Sequence, residues 1–158
     1  MKNKLTLPPR SARLVVFLAV LSALPIRAEV VVISSTRNTI EHVSQDDVSY
    51  IFMGRYRKLP DGSTARPLDL EADSPVRKAF YRQLVDKSPE EINAYWARLV
   101  FAGRTTPPAE TKGQEELLEK VANDPKAIGY IDRAYLNHST LARNVKIILV
   151  LPNQAEPR

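Results

Sequence analysis

The chain has 158 residues, 44% of them hydrophobic, with 23 basic and 18 acidic side chains and no cysteine. Without cysteine there is no disulfide framework, no thiolate metal or redox site and no attachment point for a lipoprotein anchor. Five basic residues, Lys2, Lys4, Arg10, Arg13 and Arg27, lie in the first 28 positions, which contain no acid, so residues 29–158 carry 18 basic against 18 acidic groups and a formal charge of zero. A nucleic-acid binder keeps its basic excess in the folded part, and that class is set aside.

The basic start precedes Leu14 to Leu24, "LVVFLAVLSAL", which is apolar except for Ser22. That order is a secretory signal peptide with cleavage expected after Ala28, and the run falls short of the roughly 20 apolar residues that span a bilayer. The expectation is a periplasmic or secreted protein: residues 1–28 are a targeting peptide and residues 29–158 form one domain of ordinary size.

Glu29 to Ser34, "EVVVIS", is a β-branched run that predicts a central strand covered on both faces, as in a parallel sheet. Ser44, with Asp47 three residues on, predicts a helix cap, Val48, Ile51 and Phe52 the apolar side of that helix, and Gly54 its end. Turn residues Pro60-Asp61-Gly62 lead to an extended piece at Arg66 to Leu70. Ser74-Pro75 and Ser88-Pro89 each place a hydroxyl cap before a proline at the first helical position. In the second of these helices Ile92, Tyr95, Trp96, Leu99 and Val100 form one core-facing stripe. A short helix with Leu117, Leu118 and Val121 is stopped by Asn123-Asp124-Pro125, and two extended stretches follow, "AIGYID" and "VKIILVL". In "AIGYID", Gly129 marks a close approach within the sheet and Tyr130 a packing residue. The alternation of strands and helices favours an α/β layer fold.

Four segments in order, "VSQDDVSYIFMGRYRKLPDG", "DSPVRKAF", "YWARLVFAGRTTPP" and "VANDPKAIGYID", resemble the phosphate-type periplasmic solute-binding proteins of ABC importers. The resemblance implies a type 2 periplasmic-binding-protein fold, with a mixed, mainly parallel sheet flanked by helices. In that family an oxyanion such as phosphate is clamped between two lobes by helix N-termini and by serine, threonine and arginine side chains. This chain is long enough for one lobe only.

The family segment aligned with Ser74 to Arg77 typically reads Ser-Gly-Thr-Arg. Ser74 and Arg77 match, whereas Pro75 has no N–H, Val76 has no hydroxyl, and Leu70 stands where the family has a further arginine. What remains for an anion is the Ser74 hydroxyl, the Val76 and Arg77 amides, the Arg77 side chain and the positive end of the helix dipole. The competing reading is a self-capped helix whose arginine pairs with a carboxylate such as Asp73. The hydroxyls of Ser34, Ser35 and Thr36 follow the first strand and, on the rule that ligands sit beyond strand carboxyl ends, could face Ser74 across a crevice.

His42 and His138 are far apart and have no spaced cluster of further ligands, so neither a metal nor a cofactor is expected. No nucleophile elbow or histidine–carboxylate constellation points to an enzyme. Two functions remain: a weak oxyanion-binding or sensing module, and a ligand-free interaction protein that docks to a membrane signalling or transport partner or to a second copy of itself.

Overall fold

The computed structural model describes residues 29–152; the expected signal peptide, residues 1–28, lies outside them. The elements run β1 (Val30–Ser35), α1 (Gln45–Phe52), β2 (Arg66–Leu70), α2 (Pro75–Val85), α3 (Pro89–Phe101), β3 (Ala109–Thr111), α4 (Gln114–Asn123), β4 (Ala127–Asp132), α5 (Arg133–His138), a 3-10 turn (Thr140–Asn144) and β5 (Val145–Val150). The strands form one mixed sheet in the order β3-β2-β4-β1-β5. Helices cover both of its faces, the α/β arrangement expected of one binding-protein lobe.

Local chemistry sets the helix starts. Ser44 accepts a hydrogen bond from the Asp47 amide at 3.1 Å. Ser88 accepts from the Glu91 amide at 3.3 Å while Glu91 accepts from the Ser88 amide at 2.8 Å, a complete capping box. Pro75 and Pro89 sit in the first turns of α2 and α3, where a missing N–H costs nothing. After α1, Gly54 adopts φ +68°, and a Cβ there would lie 2.7 Å from Cη2 of Trp96. The turn therefore needs glycine both for its conformation and for the indole that closes over it.

Adjacent residues of β4 show which helices lie on which face. Tyr130 stacks on Phe80 of α2 at 3.7 Å, and Phe52 of α1 packs edge-on against both rings. Its neighbour Gly129 points the other way, where a Cβ would come within 2.7 Å of Cδ2 of Leu117 on α4. One face therefore carries α1 and α2 and the other α4, and Gly129 and Tyr130 have the packing roles expected of them.

Two features differ from the sequence reading. β1 is buried along its whole length, as expected, but it runs antiparallel to both neighbours, β4 and β5. A continuous apolar run reports burial on two faces and says nothing of pairing direction. In α3, Ile92 and Trp96 are buried, whereas Val100 is 52% exposed and Phe101 96% exposed. The last turn of α3 runs past the layer on which its first turns pack.

Candidate functional site

β2 carries an acid between two leucines, "RPLDL"; the strand is covered on both faces, so Asp69, on the face opposite the leucines, is interior and 2% exposed. A buried carboxylate needs partners, and α2 supplies two of them one turn apart. Nε of Arg77 lies 3.2 Å from Oδ2 of Asp69, and the Tyr81 hydroxyl donates to the same oxygen at 2.8 Å. From β4 the Tyr130 hydroxyl donates to Oδ1, which also accepts from the Leu70 amide at 2.9 Å. The Leu70 amide is in addition 3.2 Å from the Tyr130 hydroxyl oxygen. Thr111 at the edge donates to the Asp69 carbonyl at 2.9 Å, which ties β3 into the cluster.

The electrostatics follow from burial. Tyr81 and Tyr130 are pushed well above their ordinary pKa, first by desolvation and then by the Asp69 charge. Both remain hydrogen-bond donors at any neutral pH. Burial alone would lower the pKa of Arg77, but the charge of Asp69, its hydrogen bond and the two neighbouring tyrosines together outweigh burial and hold the guanidinium above its usual value. The Arg77 side chain is only 6% exposed, and its Nη1 is buried without a hydrogen-bond partner.

Around the start of α2, the Ser74 oxygen accepts from the Arg77 amide at 3.4 Å, so two of the groups expected to hold an anion are turned on each other. Val76 is buried, and Leu70 is fully so. Glu71 and Asp73, both exposed, are the charged residues just ahead of the cap. Arg77 pairs with a carboxylate, as the self-capped alternative requires, but its partner is Asp69 and not Asp73.

The first-strand hydroxyls lie elsewhere. Ser34 pairs with Ile128 of β4, and Ile128 with Pro67 at the start of β2, whereas Ser74 follows the far end of β2. The antiparallel course of β1 thus puts Ser34, Ser35 and Thr36 at the opposite end of the sheet from Ser74, and the expected crevice between them does not form. Ser34 and Ser35 are fully buried. Ser34 Oγ is 3.5 Å from the Ser35 carbonyl. Ser35 Oγ donates to the Ala122 carbonyl at 3.3 Å, and Nη2 of Arg37 reaches the same oxygen at 3.2 Å. Thr36 donates to the Asn144 carbonyl at 3.2 Å. Ser35 and Arg37 therefore satisfy a free carbonyl at the C-terminal turn of α4.

Sequence reasoning missed Asp69 and Tyr81, and it saw Tyr130 as a packing residue without its hydrogen bond to Asp69. The signal was present in a lone acid flanked by leucines in a short strand and in an arginine and tyrosine four residues apart on the next helix. Among the described residues, no group of three or more His, Asp or Glu is placed to hold a metal ion, and no helix is long and apolar enough to cross a membrane.

No protein-family model matches the chain, and no curated protein matches it in sequence. Solved structures do match its fold. A phosphate ABC transporter substrate-binding protein of Clostridium perfringens, solved with bound phosphate, aligns over 77% of this chain and 44% of its own, with 16% identity and a TM-score of 0.57. An ABC-type phosphate transport receptor of Vibrio cholerae aligns over 77% and 45%, with 13% identity and a TM-score of 0.56. A phosphate-binding protein of Planctomyces limnophilus aligns over 77% and 40%, with 14% identity and a TM-score of 0.57. The chain thus spans less than half the length of these relatives, and its fold is that of one lobe of a phosphate ABC transporter substrate-binding protein.

Proposed function

We propose that this chain is an exported, non-enzymatic docking module that has kept one lobe of a phosphate-binding scaffold and turned its anion-facing arginine into part of the core. The observation that carries this reading is the burial of Arg77. In a two-lobed clamp the ligand groups line the face between the lobes, and on residues 29–152 taken by themselves that face would be open to water. An arginine still able to grip an anion there would be exposed, whereas the Arg77 side chain is 6% exposed and paired with Asp69. Glu71 and Asp73, exposed beside the cap, make the same spot less welcoming to an anion.

The alternative, an oxyanion such as phosphate held at the start of α2, draws support from the phosphate-binding neighbours and from the unpartnered Nη1 of Arg77. The two readings differ in a thermal melt. A ligand at a hundredfold its Kd stabilises by about 2.7 kcal/mol, whereas a docking module gains nothing. At about 1 mM phosphate, too dilute for stabilisation by salt exclusion to matter, the Tm of the full chain is expected to stay where it is in chloride. A rise would favour the oxyanion reading.

Export and a folded unit of residues 29–158 belong to the same proposal, supported by the order of basic, apolar and small residues in the first 28 positions. Intact-mass measurement of the protein recovered from its host is expected to show a chain beginning at Glu29. A mass that retains Met1 would contradict it.

A further inference from the structure

We propose that the exposed end of α3, together with the loop packed against it, docks this protein on an anionic lipid surface, with Phe101 as the inserted side chain. The proposal rests on the docking-module reading and names the surface that docks. Phe101 is 96% exposed and follows Val100, itself 52% exposed, on the last turn of a thirteen-residue helix. Phe101 and Val100 together leave an apolar tip that their own fold does not cover, and adjoining exposed apolar surface of this kind marks an interaction site.

The charges around it have one sign. Arg98 and Arg104, three residues either side of Phe101 in sequence, line a shallow hollow with Tyr95, Leu99 and Ala102. The loop after α1 lies against the middle of α3 and the loop that follows it: the Tyr95 hydroxyl donates to the Met53 carbonyl at 2.7 Å, and Nη2 of Arg57 donates to the Thr106 carbonyl at 2.5 Å. That loop adds Arg55, Arg57 and Lys58. Residues 48–60 and 92–109 contain no acid, and none of these five cations has an acidic partner among the described residues. Acids border the region: Asp47 accepts from Tyr56 at 2.9 Å, and the exposed Asp61 follows Pro60 in the turn that holds Lys58.

Five unpaired cations in a fold whose formal charge is zero are a segregated patch. A protein partner is usually met by charges of both signs, which fix its register. An exposed phenylalanine at the tip of α3, with basic residues in that turn and in the adjoining loops, matches a negative surface with an apolar interior, where basic residues and an aromatic side chain act together. Each cation near such a surface is worth about fivefold in affinity.

The test uses the full chain, whose lack of cysteine allows single labels. An environment-sensitive fluorophore is placed on Ala102→Cys, beside the patch, or on Glu119→Cys, on α4 across the sheet. With vesicles of phosphatidylcholine and phosphatidylglycerol, the label at 102 is expected to shift to the blue and brighten, and the label at 119 to stay unchanged. Phosphatidylcholine alone should leave both unchanged. In the 102-labelled chain, Arg98→Glu with Arg104→Glu is expected to weaken the response at least about twenty-fivefold, and Phe101→Ser about tenfold; circular dichroism is the check that these exposed substitutions leave the fold intact. A silent label at 102 would overturn the proposal and leave the patch to an acidic protein. Equal responses at 102 and 119, or a response that survives charge reversal, would overturn it as well, since association would then run through the apolar stretch near the N-terminus. Phosphate binding at α2 is a separate measurement at a separate place, so the docking-module reading and the lipid surface fail independently.

Discussion

Arg77→Leu is expected to cost about 3–5 kcal/mol of stability, because it leaves the Asp69 carboxylate buried without its cation. That is a large share of the 5–15 kcal/mol that holds a typical domain together. The tyrosine hydroxyls of Tyr81 and Tyr130 would still donate to Asp69, but two neutral donors do not replace a guanidinium in a site closed to water. Asp69→Leu should cost a similar amount, since it strands a buried guanidinium. The double variant Asp69→Leu/Arg77→Leu should recover much of the loss, as the replacement of a whole buried ion pair by apolar groups often does. Urea denaturation of the four proteins measures this directly. A cost below about 1 kcal/mol for Arg77→Leu is what a solvated surface pair would show, and would mean that Arg77 is not part of the core.

The cycle bears on function because it separates two uses of one arginine. A residue whose removal unfolds the protein and whose side chain is shut from water serves the scaffold. An arginine kept for an anion would be dispensable to stability and open to solvent. Asp69, Arg77, Tyr81 and Tyr130 join β2, α2 and β4, and Thr111 adds β3, so one polar cluster binds the half of the sheet on which a ligand face would have been built.

The helix starts were legible in the sequence because a cap is made by residues within four positions of one another, as at Ser44, Ser74 and Ser88. The direction of β1 was not, since its partners, β4 and β5, lie about a hundred residues away and Val30 to Ser35 would be as well buried in either orientation. The expected crevice failed with that direction: the rule that places ligands beyond strand carboxyl ends applies to parallel strands, and β1 points the other way. Arg77 was identified as a residue of consequence, but its partner was not. Asp73 is nearer in sequence, and only the pleat of β2 brings Asp69 beneath α2. Val100 continues the helical spacing of the apolar stripe, yet a stripe shows which residues share a face and not where the packing surface ends. The short pieces β3 and α5, with three and six residues, carry too little periodicity to be read.

Calorimetric titration of the full chain with inorganic phosphate tests the central claim most directly, because the docking reading depends on the start of α2 being closed to an oxyanion. The groups still available there are few: Val76 is buried, the Arg77 amide serves the Ser74 oxygen, and the Arg77 side chain serves Asp69. A charge-assisted hydrogen bond is worth about 1.5–3 kcal/mol, and a Kd of about 1 mM already requires about 4.1 kcal/mol of binding free energy. The Ser74 O–H, one free amide and a helix dipole, with Nη1 of Arg77 buried out of reach of solvent, fall short of that once the cost of association is met. The account predicts no saturable heat up to millimolar phosphate. A saturable isotherm with one phosphate per chain and a Kd below about 1 mM would contradict it and return Ser74 and Arg77 to the role of ligand-binding residues.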